Sequence, residues 1–513
     1  MKPVVHYRDT RGLARGNPAF TDVVARGIAP GGGLYVPASL PELTLGEILA
    51  VGEMPYWRRA AAIFSRFGVD VSDERIDTLM QRAYGSQWDD ARIAPVVEAR
   101  PDMHVLELWH GPTSAFKDMA LQCMPLFFSE AISMLHARER ALDDYLILVA
   151  TSGDTGKAAL EGFVDREHTN IIVFYPADGV SELQRKQMIT QRGSNVSVFG
   201  VRGNFDDCQN AVKAAFNDEE FNAELHDRWG IGLSSANSIN WGRMLPQVVY
   251  YVSAYADMVA GGGVKAGDPI DVCVPTGNFG NILGAFYAKE IGVPIDRLLC
   301  ASNENNVLSD FIATGVYDIS ERHFVKTPSP SMDILISSNL ERLLYHLTGS
   351  PSAREWTRQL AEEKHFGVDR DTFTQMRDFL VGDYVTNDTS LATIRRAHEE
   401  TGYLPDPHTA VAWEVAERLR GENPVLVVST AHWAKFGVDV FKALSGIPYS
   451  EPLPAQYEGS SAIDILAHVR QIAPEACVPS AIAELDTLPE RFTRVVDAGR
   501  DGIETAVRDW LSP

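Results

Sequence analysis

The stretch His110-Gly111-Pro112-Thr113-Ser114-Ala115-Phe116-Lys117-Asp118 places a lysine in the first turn of a helix, after a small-residue loop and the apolar run Val105 to Trp109. A helix N-terminus disfavours a cation by about 0.3–1 kcal/mol. With burial beneath Trp109 and Phe116, this lowers the lysine pKa and favours the neutral amine that attacks a carbonyl to form a Schiff base. The plain alternative is a surface lysine. Thr151-Ser152-Gly153-Asp154-Thr155-Gly156-Lys157 offers hydroxyls and N–H groups at a second helix start, which suits an anion or is simply an N-cap and turn. It is not a Walker A loop, because Thr151 and Ala158 stand where that motif needs Gly and Ser or Thr. Pro275-Thr276-Gly277-Asn278-Phe279-Gly280-Asn281 opens a third helix and suits a phosphate held by N–H groups alone. A dinucleotide fingerprint fails there at Phe279 and Ile282. Thr430 can offer a hydroxyl to a heterocyclic nitrogen or merely cap a helix, and His432 beside it reads as a packed histidine. Asn240 and Arg243, three residues apart, share a helix face and can converge on one oxyanion; taken alone, Arg243 reads as a solvated arginine.

Each loop needs a strand or helix to aim it. The runs His104–Leu108, Tyr145–Ala150, Ile171–Tyr175, Val196–Val201, Ile270–Val274, Leu298–Ala301 and Val425–Ser429 show little polar alternation and are separated by helical patterns. That predicts an α/β fold with parallel sheets buried on both faces and ligand loops at the carboxyl ends of the strands. Residues 1–100, with Pro30-Gly31-Gly32-Gly33 and helical stretches at Met54–Phe67 and Ser72–Ala83, read as an N-terminal domain. Residues 319–406 read as a helical insertion and 456–513 as a helical C-terminal segment.

With 513 residues, more than one domain is expected. The formal charge of −23 argues against a nucleic-acid partner. Five scattered cysteines without CxxC pairing indicate neither disulfides nor a metal site. The best apolar run, Met124 to Leu135, is interrupted by Glu130 and too short to span a bilayer, so no membrane association and a cytoplasmic location are expected.

GPTSAFKDMALQ, ATSGDTGKAALEGF, PTGNFGN and STAHWAKF resemble the four signatures of threonine synthase, within the fold type II pyridoxal phosphate enzymes. PGGGLYVP and LPDPHTAVA are also similar to that family's pattern, so the resemblance runs from about Pro30 to Phe436. It implies two parallel-sheet domains within a catalytic core at 101–455, residues 145–235 forming a smaller mobile subdomain. It further implies that Lys117 carries pyridoxal 5'-phosphate as a Schiff base, that Gly277, Asn278, Phe279, Gly280 and Asn281 hold the cofactor phosphate, and that Thr430 faces the pyridine nitrogen. Ser152, Asp154 and Thr155 are expected near the substrate carboxylate or the ring hydroxyl. The implied substrate is O-phospho-L-homoserine, converted with water to L-threonine and phosphate by a monomer or homodimer. Its phosphate is then assigned to Asn240 and Arg243. A dehydratase or cysteine synthase of the same fold is less suited, because the SGDTG and NSINWGR stretches supply extra anion contacts.

Overall fold

The aliphatic runs do become strands. The computed structural model describes residues 3–138, 144–151, 153–177 and 179–512. Its larger sheet has six strands in the spatial order Leu380–Tyr384, Ile295–Ser302, Ile270–Pro275, Val425–Ser429, Met103–Glu107, Val96–Arg100. All neighbours are parallel except the last pair. The three central strands are buried at every position, as aliphatic strands covered by helices on both faces must be. A smaller, fully parallel sheet runs Val495–Asp497, Val196–Arg202, Thr169–Pro176, Asp144–Ala150, Ile231–Ser234.

The helix Trp241–Ala260 carries the chain from the small sheet back to the large one, and nearly its whole length is buried. Its N-terminal half meets the first 100 residues directly. Tyr7 lies edge-on to Trp241 at 5.7 Å between ring centroids, and Phe20 edge-on to Phe127 at 5.6 Å. The N-terminal helices, including Tyr56–Arg66 and Asp73–Ala83, thus share one continuous hydrophobic cluster with the core around Lys117.

Two segments carry strands that the sequence pattern hides. The stretch 319–406 is not purely helical: Leu380–Tyr384 pairs in parallel with Leu298–Ser302 at the sheet edge. Gly382 and Asp383 suppress its strand signal, and Gly382 is needed because a Cβ there would stand 3.2 Å from the Cα of Ser309. Likewise 456–513 is more than helical, since Val495–Asp497 extends the small sheet beside Gly200–Arg202. The helix Arg500–Leu511 then packs its buried Ile503, Ala506 and Val507 into that sheet's cluster.

Candidate active site

The loops after Met103–Glu107, Ile270–Pro275 and Val425–Ser429 lie at the carboxyl ends of parallel strands. The lysine loop is folded on itself. Asp118 accepts hydrogen bonds from Thr113 N (2.8 Å) and Thr113 Oγ1 (2.7 Å), and the chain can close this tightly because Gly111 leaves no Cβ against Asp118. It is stitched to the loop at 430–432: Phe116 N donates to the Thr430 carbonyl at 2.8 Å, and His432 N to the Ser114 carbonyl at 3.1 Å.

Lys117 is the first residue of a short helix, Lys117–Leu121, and is buried. Its Nζ lies 3.1 Å from Ser331 Oγ, 3.8 Å from Asp154 Oδ2 and 4.9 Å from the Phe116 ring centroid. Its pKa is pushed down to about 8, mainly by burial; Asp154 opposes the shift, while Arg243 and Lys435 add to it. Burial and Phe116 act as expected, but the helix dipole and Trp109 do not. A five-residue helix has little macrodipole, and Trp109 stacks on His110 at 4.0 Å with its Nε1 donating to Ser429 Oγ. Burial, with Arg243 and Lys435 as two neighbouring cations, depresses the lysine.

Asp154, at the start of the helix Asp154–Phe163, is the buried anion of the site. Its Oδ1 accepts from Lys435 Nζ (2.8 Å) and Gln184 Nε2 (3.1 Å), and its Oδ2 from Ser331 Oγ (3.1 Å). Burial alone would raise its pKa, yet Lys435 and Lys117 hold the carboxyl well below the usual range. Ser331 N donates to His408 Nε2 at 3.1 Å, so His408 Nδ1 carries the proton and donates to Asp406 Oδ1 at 2.7 Å. The carboxylate expected near the substrate therefore faces two lysines. Thr155 is half-buried, Ser152 lies outside the described residues, and the Thr151 hydroxyl accepts from the N–H groups of Gly153 and Gly156.

Phe279 adopts a left-handed conformation (φ 61°) and starts the helix Gly280–Glu290 without a side-chain cap, which leaves first-turn N–H groups for an anion. Tyr250 and Tyr251 both donate to Asn281 Oδ1, the latter at 2.7 Å, and the buried Nδ2 is a donor without a protein partner. Asn278 is exposed and contributes its carbonyl, which accepts from Asn339 N and Nδ2. Thr430 is buried where the strand Val425–Ser429 ends. A depressed lysine, an uncapped helix start with a spare buried donor, and a buried hydroxyl fit the carbonyl, phosphate and ring nitrogen of pyridoxal phosphate.

Arg243 and Asn240 part company. Asn240 caps the helix Trp241–Ala260, accepting from Gly242 N and donating to the Val24 carbonyl, each at 2.9 Å, so its amide is committed to backbone. This corrects the expected pairing of the two side chains on one oxyanion. Arg243 is buried; Nη1 donates to the Ala236 carbonyl at 2.9 Å, Nε has no protein partner, and burial pushes its pKa down to about 10. Among the described residues no carboxylate pairs with it.

Residues 6–84 match the family model for the threonine synthase N terminus, 98–431 that for pyridoxal-phosphate dependent enzymes, and 409–507 that for the threonine synthase C-terminal region. The chain belongs to the threonine synthase family. Threonine synthase-like 1 of Macaca fascicularis is 44% identical over 437 residues, covering 83% of this chain and 58% of the relative, so the chain spans under two thirds of that protein's length. Threonine synthase of Pseudomonas aeruginosa is 36% identical over 88% of this chain and 92% of its own. The crystal structure of pyridoxal-phosphate-bound threonine synthase from Brucella melitensis superposes with a TM-score of 0.83 at 34% identity, covering 99% of this chain and all of that one. Pyridoxal 5'-phosphate is the cofactor.

Of the residues that line this threonine synthase-family site, the sequence pattern alone did not single out Lys435, Ser331, His408, Asp406 or Gln184. Three of them had a visible signal: Lys435 lies within STAHWAKF, and Asp406 and His408 within LPDPHTAVA. Ser331 had none, since it comes from the segment 329–334 far from any motif. Among the described residues no helix is long and apolar enough to cross a membrane, and no group of three His, Cys, Asp or Glu is placed to hold a metal.

Proposed function

We propose that this chain converts O-phospho-L-homoserine and water to L-threonine and inorganic phosphate. The observation that carries the reading is Arg243, a buried guanidinium with an unpaired Nε and no carboxylate partner among the described residues, which makes it a site for a strongly anionic ligand. A phosphorylated substrate needs such a site in addition to the one for the cofactor phosphate. The threonine synthases among its relatives support the same reaction.

In this reading bound pyridoxal phosphate supplies the electron sink that lets a proton leave the substrate Cα. The protein's residues do the rest. Lys117 would hold the cofactor at its carbonyl, and its amine, whose pKa burial pushes down to about 8, would take and return protons. Ser331 Oγ fixes the position of its Nζ, and the Asp406–His408 pair fixes Ser331. The N–H groups from Phe279 onward and Asn281 Nδ2 hold the cofactor phosphate, Thr430 lies toward the ring nitrogen, and Arg243 holds the substrate phosphate. A neutral hydroxyl at the ring nitrogen does not enforce its protonation as a carboxylate would, which disfavours transamination.

The deciding experiment incubates the holoenzyme with O-phospho-L-homoserine, measures phosphate release and identifies the amino-acid product. Stoichiometric threonine is expected. Phosphate release with no threonine, or no turnover in fully loaded enzyme, overturns the assignment.

A further inference from the structure

Two buried lysines share one buried carboxylate. Lys435, 1% exposed in the turn Trp433–Phe436, places Nζ 2.8 Å from Asp154 Oδ1 and also donates to the Thr113 carbonyl at 2.8 Å. The other oxygen of Asp154 reaches Lys117 Nζ only at 3.8 Å, with Ser331 Oγ 3.1 Å from both. We propose that Lys435 is a positioning residue for the cofactor lysine: by occupying Asp154 it removes the anion that would otherwise fix Lys117 as an ammonium.

The charges around Lys117 support this. Asp154 faces it from the helix Asp154–Phe163, Lys435 from the turn, Arg243 from the start of Trp241–Ala260, and Asp118 from its own helix, while His408 faces Asp154 from Pro407–Arg418. Three cations, Lys117, Lys435 and Arg243, therefore meet two carboxylates, Asp154 and Asp118. The imbalance is relieved if one lysine releases its proton. Lys435 is the tighter partner of Asp154, so Lys117 is the one left to do so. Without Lys435 the remaining two cations and two carboxylates balance, and Lys117 keeps its proton. An opposite charge within about 4–6 Å shifts such an equilibrium by roughly 1–3 pH units toward the charged form.

The inference rests on Lys117 being the cofactor lysine, which Lys117→Ala tests separately through loss of bound cofactor. The test of Lys435 uses the full-length chain freed of cofactor, with circular dichroism and recovery of the visible cofactor absorption on reloading as controls of the fold. Lys117 is labelled with a brief pulse of an amine-specific reagent across pH 6 to 11 and quantified by peptide mass spectrometry. Lys435→Met should raise the labelling midpoint by about one pH unit or more. Asp154→Asn should lower it, the double variant should return close to the parent, and Lys435→Arg should preserve it. An unmoved midpoint in folded Lys435→Met overturns the proposal. If Lys435→Met does not fold, Lys435→Gln, whose neutral amide can still reach Asp154 Oδ1 and the Thr113 carbonyl, replaces it: a raised midpoint supports the proposal, and an unmoved or lowered one overturns it. A purely structural role for Lys435 would weaken folding without moving any midpoint.

Discussion

A Cβ built on Gly277 would stand 2.9 Å from the carbonyl oxygen of Ser331 and 3.1 Å from the Cα of Met332, so the first glycine of the phosphate loop is pressed against the segment that supplies the hydroxyl beside Lys117. Backbone on both sides cannot yield cheaply. Gly280 differs, since a Cβ there would meet Asn339 Nδ2 at 3.5 Å, an ordinary contact. The sequence pattern gives both glycines the same role, as points where a phosphate comes close. The packing separates them. Overpacking of this kind costs roughly 1–3 kcal/mol, so Gly277→Ala should weaken pyridoxal phosphate binding by about tenfold, while Gly280→Ala changes it less than about threefold. Titration of cofactor-free protein measures both; equal losses would mean that the cofactor, not the Ser331 segment, is what excludes a side chain.

Lys117→Ala should abolish turnover and the visible absorption of bound cofactor. The fold should survive, because the side chain makes one hydrogen bond, to Ser331 Oγ, and a longer ion pair. Far-ultraviolet circular dichroism and a melting curve check the second half of this statement. A folded variant that still forms threonine at a near-normal rate would remove Lys117 from the mechanism.

His110 gives a pH dependence with a definite sign. Burial acts to lower its pKa, but hydrogen bonds to Asp89 (2.6 Å) and Glu107 (3.0 Å) outweigh it and raise the value to about 9. A group whose folded pKa exceeds its unfolded value of about 6.5 stabilises fully below the unfolded value. That contribution is lost as pH rises through about 9. Lys117, depressed to about 8, acts in the opposite sense between about 8 and the ordinary lysine range near 10.4. The comparison must therefore be made between the parent and His110→Asn. The Tm of the parent should exceed that of the variant most at pH 6 and least at pH 9.5; a difference constant across that range would show that His110 is neutral in the folded protein.

These residues also show what the sequence could and could not disclose. Val425–Ser429 is an aliphatic run that became a strand at the same boundaries, because a central parallel strand has no polar face to blur its ends. Leu380–Tyr384 and Val495–Asp497 were illegible, since an edge strand needs few apolar residues and can carry Gly382, Asp383 or Asp497. In the site, Lys117, Thr430 and the Gly277–Asn281 turn were visible as unusual residues at helix starts. Lys435 was not singled out even though it lies within STAHWAKF, because its partner Asp154 lies 281 positions away and a lone lysine near a helix start looks solvated. Asn240 misled for the opposite reason: at an N-cap position the backbone claims the side chain before any ligand can.

The last prediction separates the two phosphates. The protein carries a formal charge of −23, so an anionic substrate reaches the site only if local cations compensate. Lys435 is occupied by Asp154, and Lys117 is reserved for the cofactor. Arg243 remains, in the first turn of a twenty-residue helix whose N-terminal dipole adds to its charge, with Nη1 held by the Ala236 carbonyl and Nε left open. Removing a charge-assisted hydrogen bond to an ionised group costs about 1.5–3 kcal/mol. Arg243→Met should therefore lower kcat/KM for O-phospho-L-homoserine by at least about tenfold, and Arg243→Lys should recover only part of the loss because a point charge cannot replace the planar fork. The visible absorption of bound cofactor should barely change in either variant, since the cofactor phosphate is assigned to the turn at Gly277–Asn281. Loss of pyridoxal phosphate from Arg243→Met, or full activity with the cofactor retained, would show that the two anions had been given to the wrong sites.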